Sequence, residues 1–105
     1  MSEEDPEMQC YVRSDSVVSR VIAGETLIVP VRKGVGDLAS IYSLNEVASF
    51  IWQMIEHPRA KDEIVQHTEQ NFAGHRDEIE RDVEAFLGEM HSVGLVSAVS
   101  VGAPA

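Results

Sequence analysis

The apolar positions of this chain change period along its length. Between residues 17 and 31 they form two short β-branched runs, Val17-Val18-Ser19-Arg20-Val21-Ile22 and Thr26-Leu27-Ile28-Val29-Pro30-Val31, separated by Ala23-Gly24-Glu25. Such residues suit a pleated, half-buried surface and a glycine supplies a tight turn, so the pair predicts a β-hairpin. Pro30 has no N–H to give to a ladder, which places the end of the second run at a sheet edge or a bulge. After the polar connector Arg32-Lys33-Gly34-Val35-Gly36-Asp37, the run Ala39-Ser40-Ile41-Tyr42-Ser43-Leu44 predicts a third short strand beside the hairpin.

From residue 45 onward the period becomes helical. Asn45 is a good N-cap, and Val47, Phe50, Ile51, Met54 and Ile55 recur at three-and-four spacing, which predicts a helix over 46–56. His57-Pro58 stops it, because the residue before a proline is pushed out of helical geometry. Trp52 lies just off this stripe, either at the core boundary or as an exposed contact. A second helix over 60–72 puts Ile64, Val65, Thr68 and Phe72 on one side, and Ala73-Gly74 ends it. The third, over 76–93, carries the clearest stripe (Ile79, Val83, Phe86, Leu87, Met90), and Gly94 follows as its C-terminal glycine. Residues 95–101 offer a last short strand running into a C-terminal tail, 98–105. Strands followed by helices with short connections predict an α+β, winged-helix-like plan: a three-stranded antiparallel sheet packed on a three-helix bundle.

Composition narrows the function. At 105 residues, with 44% hydrophobic and 25% charged side chains, the chain is an ordinary single domain. No apolar run approaches the roughly 20 residues of a membrane span. The opening MSEEDPEMQC has neither the basic nor the apolar region of a secretory signal, so a cytoplasmic location is expected. Residues 1–15 hold five acids against Arg13 and read as a flexible acidic tail, with Cys10 as an unpaired tail thiol.

Eighteen acidic against eight basic side chains give a net charge of −10, which opposes binding to a phosphate backbone. The third helix, the element a winged helix would place in the major groove, carries six acids against two arginines. A nucleic-acid role is therefore disfavoured. The histidines His57, His67, His75 and His91 have no second His or Cys at helical ligand spacing, and neither a nucleophile elbow nor a phosphate-cradling glycine loop occurs. The expectation is a protein without catalytic residues, metal or cofactor.

Protein or peptide binding remains. The third strand could be a free edge able to accept an added strand. Gly88 interrupts the third helix, where glycine costs about 1 kcal/mol relative to alanine; either something passes close to the backbone there or it is a tolerated packing glycine. Tyr42 shares strand parity with Leu44 and is expected to face the core with its hydroxyl near the rim.

The segment Ile41-Tyr42-Ser43-Leu44-Asn45-Glu46-Val47-Ala48-Ser49-Phe50-Ile51-Trp52 resembles the PqqD family, in which a Tyr-x-Leu-Asn segment runs straight into a helix with an Ile-Trp pair. The resemblance continues through Glu63-Ile64-Val65, Asp82-Val83-Glu84-Ala85-Phe86-Leu87 and Gly94-Leu95-Val96, over residues 16–97. The glycine-rich 32–37 connector and the acidic N-terminus depart from the family pattern.

This resemblance implies a RiPP recognition element: a peptide chaperone that holds the leader of a ribosomally made precursor and presents it to a modifying enzyme, commonly a radical S-adenosylmethionine protein. Some members serve pyrroloquinoline quinone biosynthesis. The leader would add as an antiparallel strand on Ser40, Ile41, Tyr42 and Ser43 and lie against the third helix. Helical spacing puts Glu84, Leu87, Gly88 and His91 on one side of that helix as the wall. Two readings compete with this one. The chain could be a structural subunit of an enzyme complex, with the 32–38 segment letting the hairpin exchange into a homodimer, or a winged-helix regulator that binds nucleic acid.

Overall fold

The hairpin, the Asn45 cap and the three helical stripes each produce their element in the computed structural model, which describes residues 7–31 and 41–102. In chain order the elements are β1 (Glu7–Arg13), β2 (Val17–Ile22), β3 (Glu25–Pro30), β4 (Tyr42–Leu44), α1 (Glu46–Met54), β5 (Arg59–Ala60), α2 (Lys61–Asn71), α3 (Arg76–Ser92) and β6 (Val96–Gly102). Ser40, the 32–38 connector invoked for hairpin exchange, residues 1–6 of the expected tail and residues 103–105 lie outside the described residues.

Two three-stranded antiparallel sheets flank the helices, ordered β2-β3-β4 and β5-β1-β6. The first is the expected sheet. β2 and β3 pair from Val17↔Pro30 to Ile22↔Glu25 around a turn in which both Ala23 (φ 54°) and Gly24 (φ 83°) are left-handed. Two left-handed central residues match the right-handed twist of a hairpin, and Ala23 accepts its conformation at a cost on the order of 1–2 kcal/mol. Pro30 sits past the reach of β4, whose pairing with β3 stops at Ile28↔Tyr42, so its missing N–H breaks no bond to that strand.

The second sheet corrects the expectation of a flexible tail over residues 7–13. β1 is its central strand, paired with β6 over seven residues and with β5 through Cys10↔Ala60 and Tyr11↔Arg59. Cys10, 5% exposed, is a buried thiol rather than a tail thiol. The last strand expected over residues 95–101 is found as β6, so residues 98–102, assigned also to a C-terminal tail, are strand. Acidic composition argues against burial, but an antiparallel strand needs only one covered face and a partner for its backbone, both of which β6 and the helices supply.

One core joins the layers: Ile28 and Leu44 from the first sheet, Ile51, Trp52 and Ile55 from α1, Ile64 and Val65 from α2, the α3 stripe, and Leu95 and Val96. Trp52 is 1% exposed, so it belongs to the core and not to a contact surface. Arg13 explains why a position off the stripe can be buried. Its guanidinium lies 5.5 Å from the centre of the indole ring and its Nη1 donates to the Trp52 carbonyl at 3.2 Å. β3 and α1 are fastened by a buried hydroxyl pair, Thr26 Oγ1 and Ser49 Oγ at 2.5 Å. Removing one partner would strand the other at a cost of about 1–3 kcal/mol. Gly94 closes off α3 two residues past its last turn, and its φ of 82° lets the Leu95 N–H reach back to the Met90 carbonyl at 2.9 Å.

Candidate functional site

β4 is hydrogen-bonded to β3 on one side only; among the described residues no strand covers its other edge. Asn45 follows directly, and its Oδ1 accepts from the Ala48 N–H at 2.9 Å, so α1 starts within one residue of the strand. That tight junction sets the first turn of α1 beside this outer edge. α3 stands opposite, and between them lies a groove of about 480 Å³. One wall is Tyr42, Ser43 and Leu44. Val47, Ala48 and Ile51 close it from α1, and Asp82, Ala85, Phe86, Glu89 and Met90 face it from α3.

The pleat sorts the edge residues. Leu44 is buried and Tyr42 half-buried against the core, while Ser43 is exposed and Ile41 is 67% exposed. The strand parity expected of Tyr42 and Leu44 is the one found. A strand edge that no described strand covers, beside a groove with an apolar floor, can take an extended segment, pairing its backbone and receiving every second side chain.

The structure brings Tyr42 and Ser43 to this groove, with Ile41 just before the strand, but separates them from the expected helix wall. Glu84, Leu87, Gly88 and His91 line a different cavity, of about 250 Å³, on the other flank of α3, where Gln9 and Tyr11 of β1 and Ala98 of β6 complete it. Leu87 is 2% exposed and is core. The α3 residues turned toward β4 are instead Asp82, Ala85, Phe86 and Glu89, which share a face at three-and-four spacing as well as the expected set does. Both sets flank the buried stripe. Which flank meets β4 is decided by where β1 packs, and β1 occupies the side carrying Gly88.

Gly88 itself is not closely approached: a Cβ placed there would meet nothing within 4 Å. Gly88→Ala is therefore expected to raise stability by about 0.5–1 kcal/mol, the usual gain from filling a helix-interior glycine. Chemical denaturation followed by circular dichroism measures this, and peptide binding in the β4 groove should be unchanged by it.

Charge also divides the two flanks. Lys61 Nζ bonds Glu84 Oε2 at 2.5 Å and lies 3.9 Å from Glu80 Oε2. The hydrogen bond to Glu84, reinforced by the nearby carboxylates, holds the Lys61 ammonium above the ordinary lysine range although burial opposes it. Asp82 and Glu89, on the groove, have no ion-pair partner among the described residues, and no cationic side chain lines the groove. The four histidines are all exposed, and the described residues contain no group of three or more metal-ligating side chains. Among them, too, no helix is long and apolar enough to cross a membrane.

A family model described as coenzyme PQQ synthesis protein D (PqqD) matches residues 25–96. Among solved structures, the chain resembles TbiB1 in complex with the TbiA(beta) leader peptide, at 28% identity and a TM-score of 0.69 over 82% of this chain and 94% of that one. It also shares its fold with lasso peptide synthetase B1 complexed with the leader peptide, at 16% identity and a TM-score of 0.67 over 83% and 96% of the two chains. No curated protein matches the sequence.

Proposed function

This chain belongs to the PqqD family, and on that premise we propose that it is a RiPP recognition element, a non-catalytic chaperone that binds the leader of a ribosomally made precursor peptide. The observation that carries the reading is the outer β4 edge, which no strand among the described residues covers, standing over an apolar groove walled by α3. The likeness to TbiB1, a protein seen with a leader peptide, supports it. The leader would add as an antiparallel strand to residues 41–43, with backbone hydrogen bonds supplying affinity and the α1–α3 floor supplying register. A peptide-modifying enzyme, such as a radical S-adenosylmethionine protein, would then act on the core segment that follows. The family description makes pyrroloquinoline quinone biosynthesis one candidate pathway. The carboxylates facing the groove set α3 against a phosphate backbone, which favours peptide over nucleic acid as its occupant.

Capture from lysate of the source cells tests this reading, with Ala85→Arg as the control. Ala85 is exposed on α3 and lines the groove, so the substitution fills the groove without disturbing the core. The expected result is a short ribosomal peptide, identified by mass spectrometry, retained by the native protein and lost with Ala85→Arg. Equal recovery by both forms would place the binding elsewhere.

A further inference from the structure

Resting on the strand-addition reading, we infer that the groove selects an extended peptide in which a large apolar residue is accompanied by Lys or Arg two residues before or after it. A strand added to β4 continues its pleat, so its side chains alternate between an inward row, beside Tyr42 and Leu44, and an outward row, beside Ser43. The inward row meets Phe86 and Met90, an apolar floor wide enough for a large side chain. Asp82 and Glu89 flank that floor seven residues apart on α3, about 10 Å along the helix axis. Inward neighbours of an apolar anchor lie about 7 Å to either side of it along a strand, within reach of these carboxylates for a side chain as long as Lys or Arg.

The chemistry of the two acids points the same way. Glu80 and Glu84 are already engaged by Lys61, and Glu69 by Arg76, whereas Asp82 and Glu89 have no cation among the described residues. Carboxylates left unpaired at the rim of a binding groove repel an acidic peptide and favour a basic one. The outward row has no such bias. Beside it lie the uncharged Ser43 and Ile41, and the charges farther across the same face, Glu25 on β3 and Arg20 on β2, are of opposite sign. The charge preference is therefore confined to one parity of the bound peptide.

A random-peptide display library, selected on the full chain and rescreened on Ser43→Pro, provides the test. Among peptides that need the intact β4 edge, Lys and Arg should be enriched at two residues from an apolar anchor and not at adjacent positions. Asp82→Asn with Glu89→Gln should weaken those peptides about threefold to tenfold, the scale of two partly exposed ion pairs. Asp82→Lys with Glu89→Lys should turn the enrichment toward Asp and Glu. Edge-dependent peptides without a basic preference, or with one unaffected by both double variants, would overturn this inference and leave strand addition standing. If no selected peptide depends on the β4 edge, strand addition fails and this inference with it.

Discussion

Ser43→Pro is expected to weaken leader binding about tenfold or more while the domain stays folded. Ser43 is the middle residue of the three-residue β4, its side chain is exposed, and its loss removes no core contact. Added-strand binding depends on an uninterrupted row of backbone donors and acceptors. A pyrrolidine ring in the middle of so short a row deletes one donor and obstructs the approach of the incoming chain. Each backbone bond is worth about 0.5–1.5 kcal/mol net, so losing two or three weakens binding about tenfold or more. Isothermal titration with the captured peptide measures the loss, and a thermal melt shows whether the fold survives. N-methylating the peptide one position at a time gives a second reading that does not touch the protein. Strand addition predicts a period of two, with alternate methyl groups tolerated. Unchanged affinity in Ser43→Pro together with a flat N-methyl profile would show that side chains alone hold the peptide.

What the sequence made legible was local. The hairpin rests on two β-branched runs and a glycine turn, α1 on an Asn45 cap that the structure shows accepting from Ala48, and α3 on a stripe whose five members are all buried. The facing of Tyr42 followed from parity, since alternate strand residues share a face and Leu44 is core. The errors concern contacts between residues far apart. Residues 7–13 carry no strong strand alternation and follow an acidic opening, so nothing local announces that they pair with residues 96–102. Trp52 looked marginal because its cover, Arg13, is 39 residues away.

These misses are linked. Without β1, helical spacing alone offers the flank of α3 bearing Glu84, Gly88 and His91 as the wall, and its glycine as either a place of close approach or a tolerated packing glycine. Once β1 and β6 stand beside that flank, the side left for β4 is the one bearing Asp82, Ala85, Phe86 and Glu89. The periodicity of a helix defines its buried stripe and, equally well, two polar shoulders; only tertiary packing says which shoulder meets a given strand.

Deleting residues 1–13 is consequently expected to cost the domain much of its stability, where a flexible tail would be removed without effect. The deletion takes the central strand out of its sheet and leaves β5 and β6 without the strand that joins them. It uncovers the core beside Cys10 and Tyr11 and frees the Ile55 carbonyl, which accepts from the Arg13 N–H at 2.9 Å. It also strips the guanidinium from the Trp52 ring. Burial of the two side chains and a handful of hydrogen bonds, at about 1–3 kcal/mol and about 1 kcal/mol apiece, together amount to several kcal/mol. Set against a total of about 5–15 kcal/mol, and at about 4–8 °C per kcal/mol for a domain of this size, Tm should fall on the order of 20 °C or cooperative melting should disappear. Arg13→Ala should give a graded version, about 1–2 kcal/mol, through the ring contact and the bond to the Trp52 carbonyl. The thiol provides an independent check on the intact protein, because a buried Cys10 reacts with a thiol reagent only as fast as β1 opens, and so more slowly than the same thiol in denaturant. A melt unchanged by the deletion, with a Cys10 that reacts at the unfolded rate, would mean that β1 is not packed. The Gly88 flank of α3 would then be uncovered, and with it would go the reason for assigning the groove to Asp82 and Glu89 rather than to Glu84 and His91.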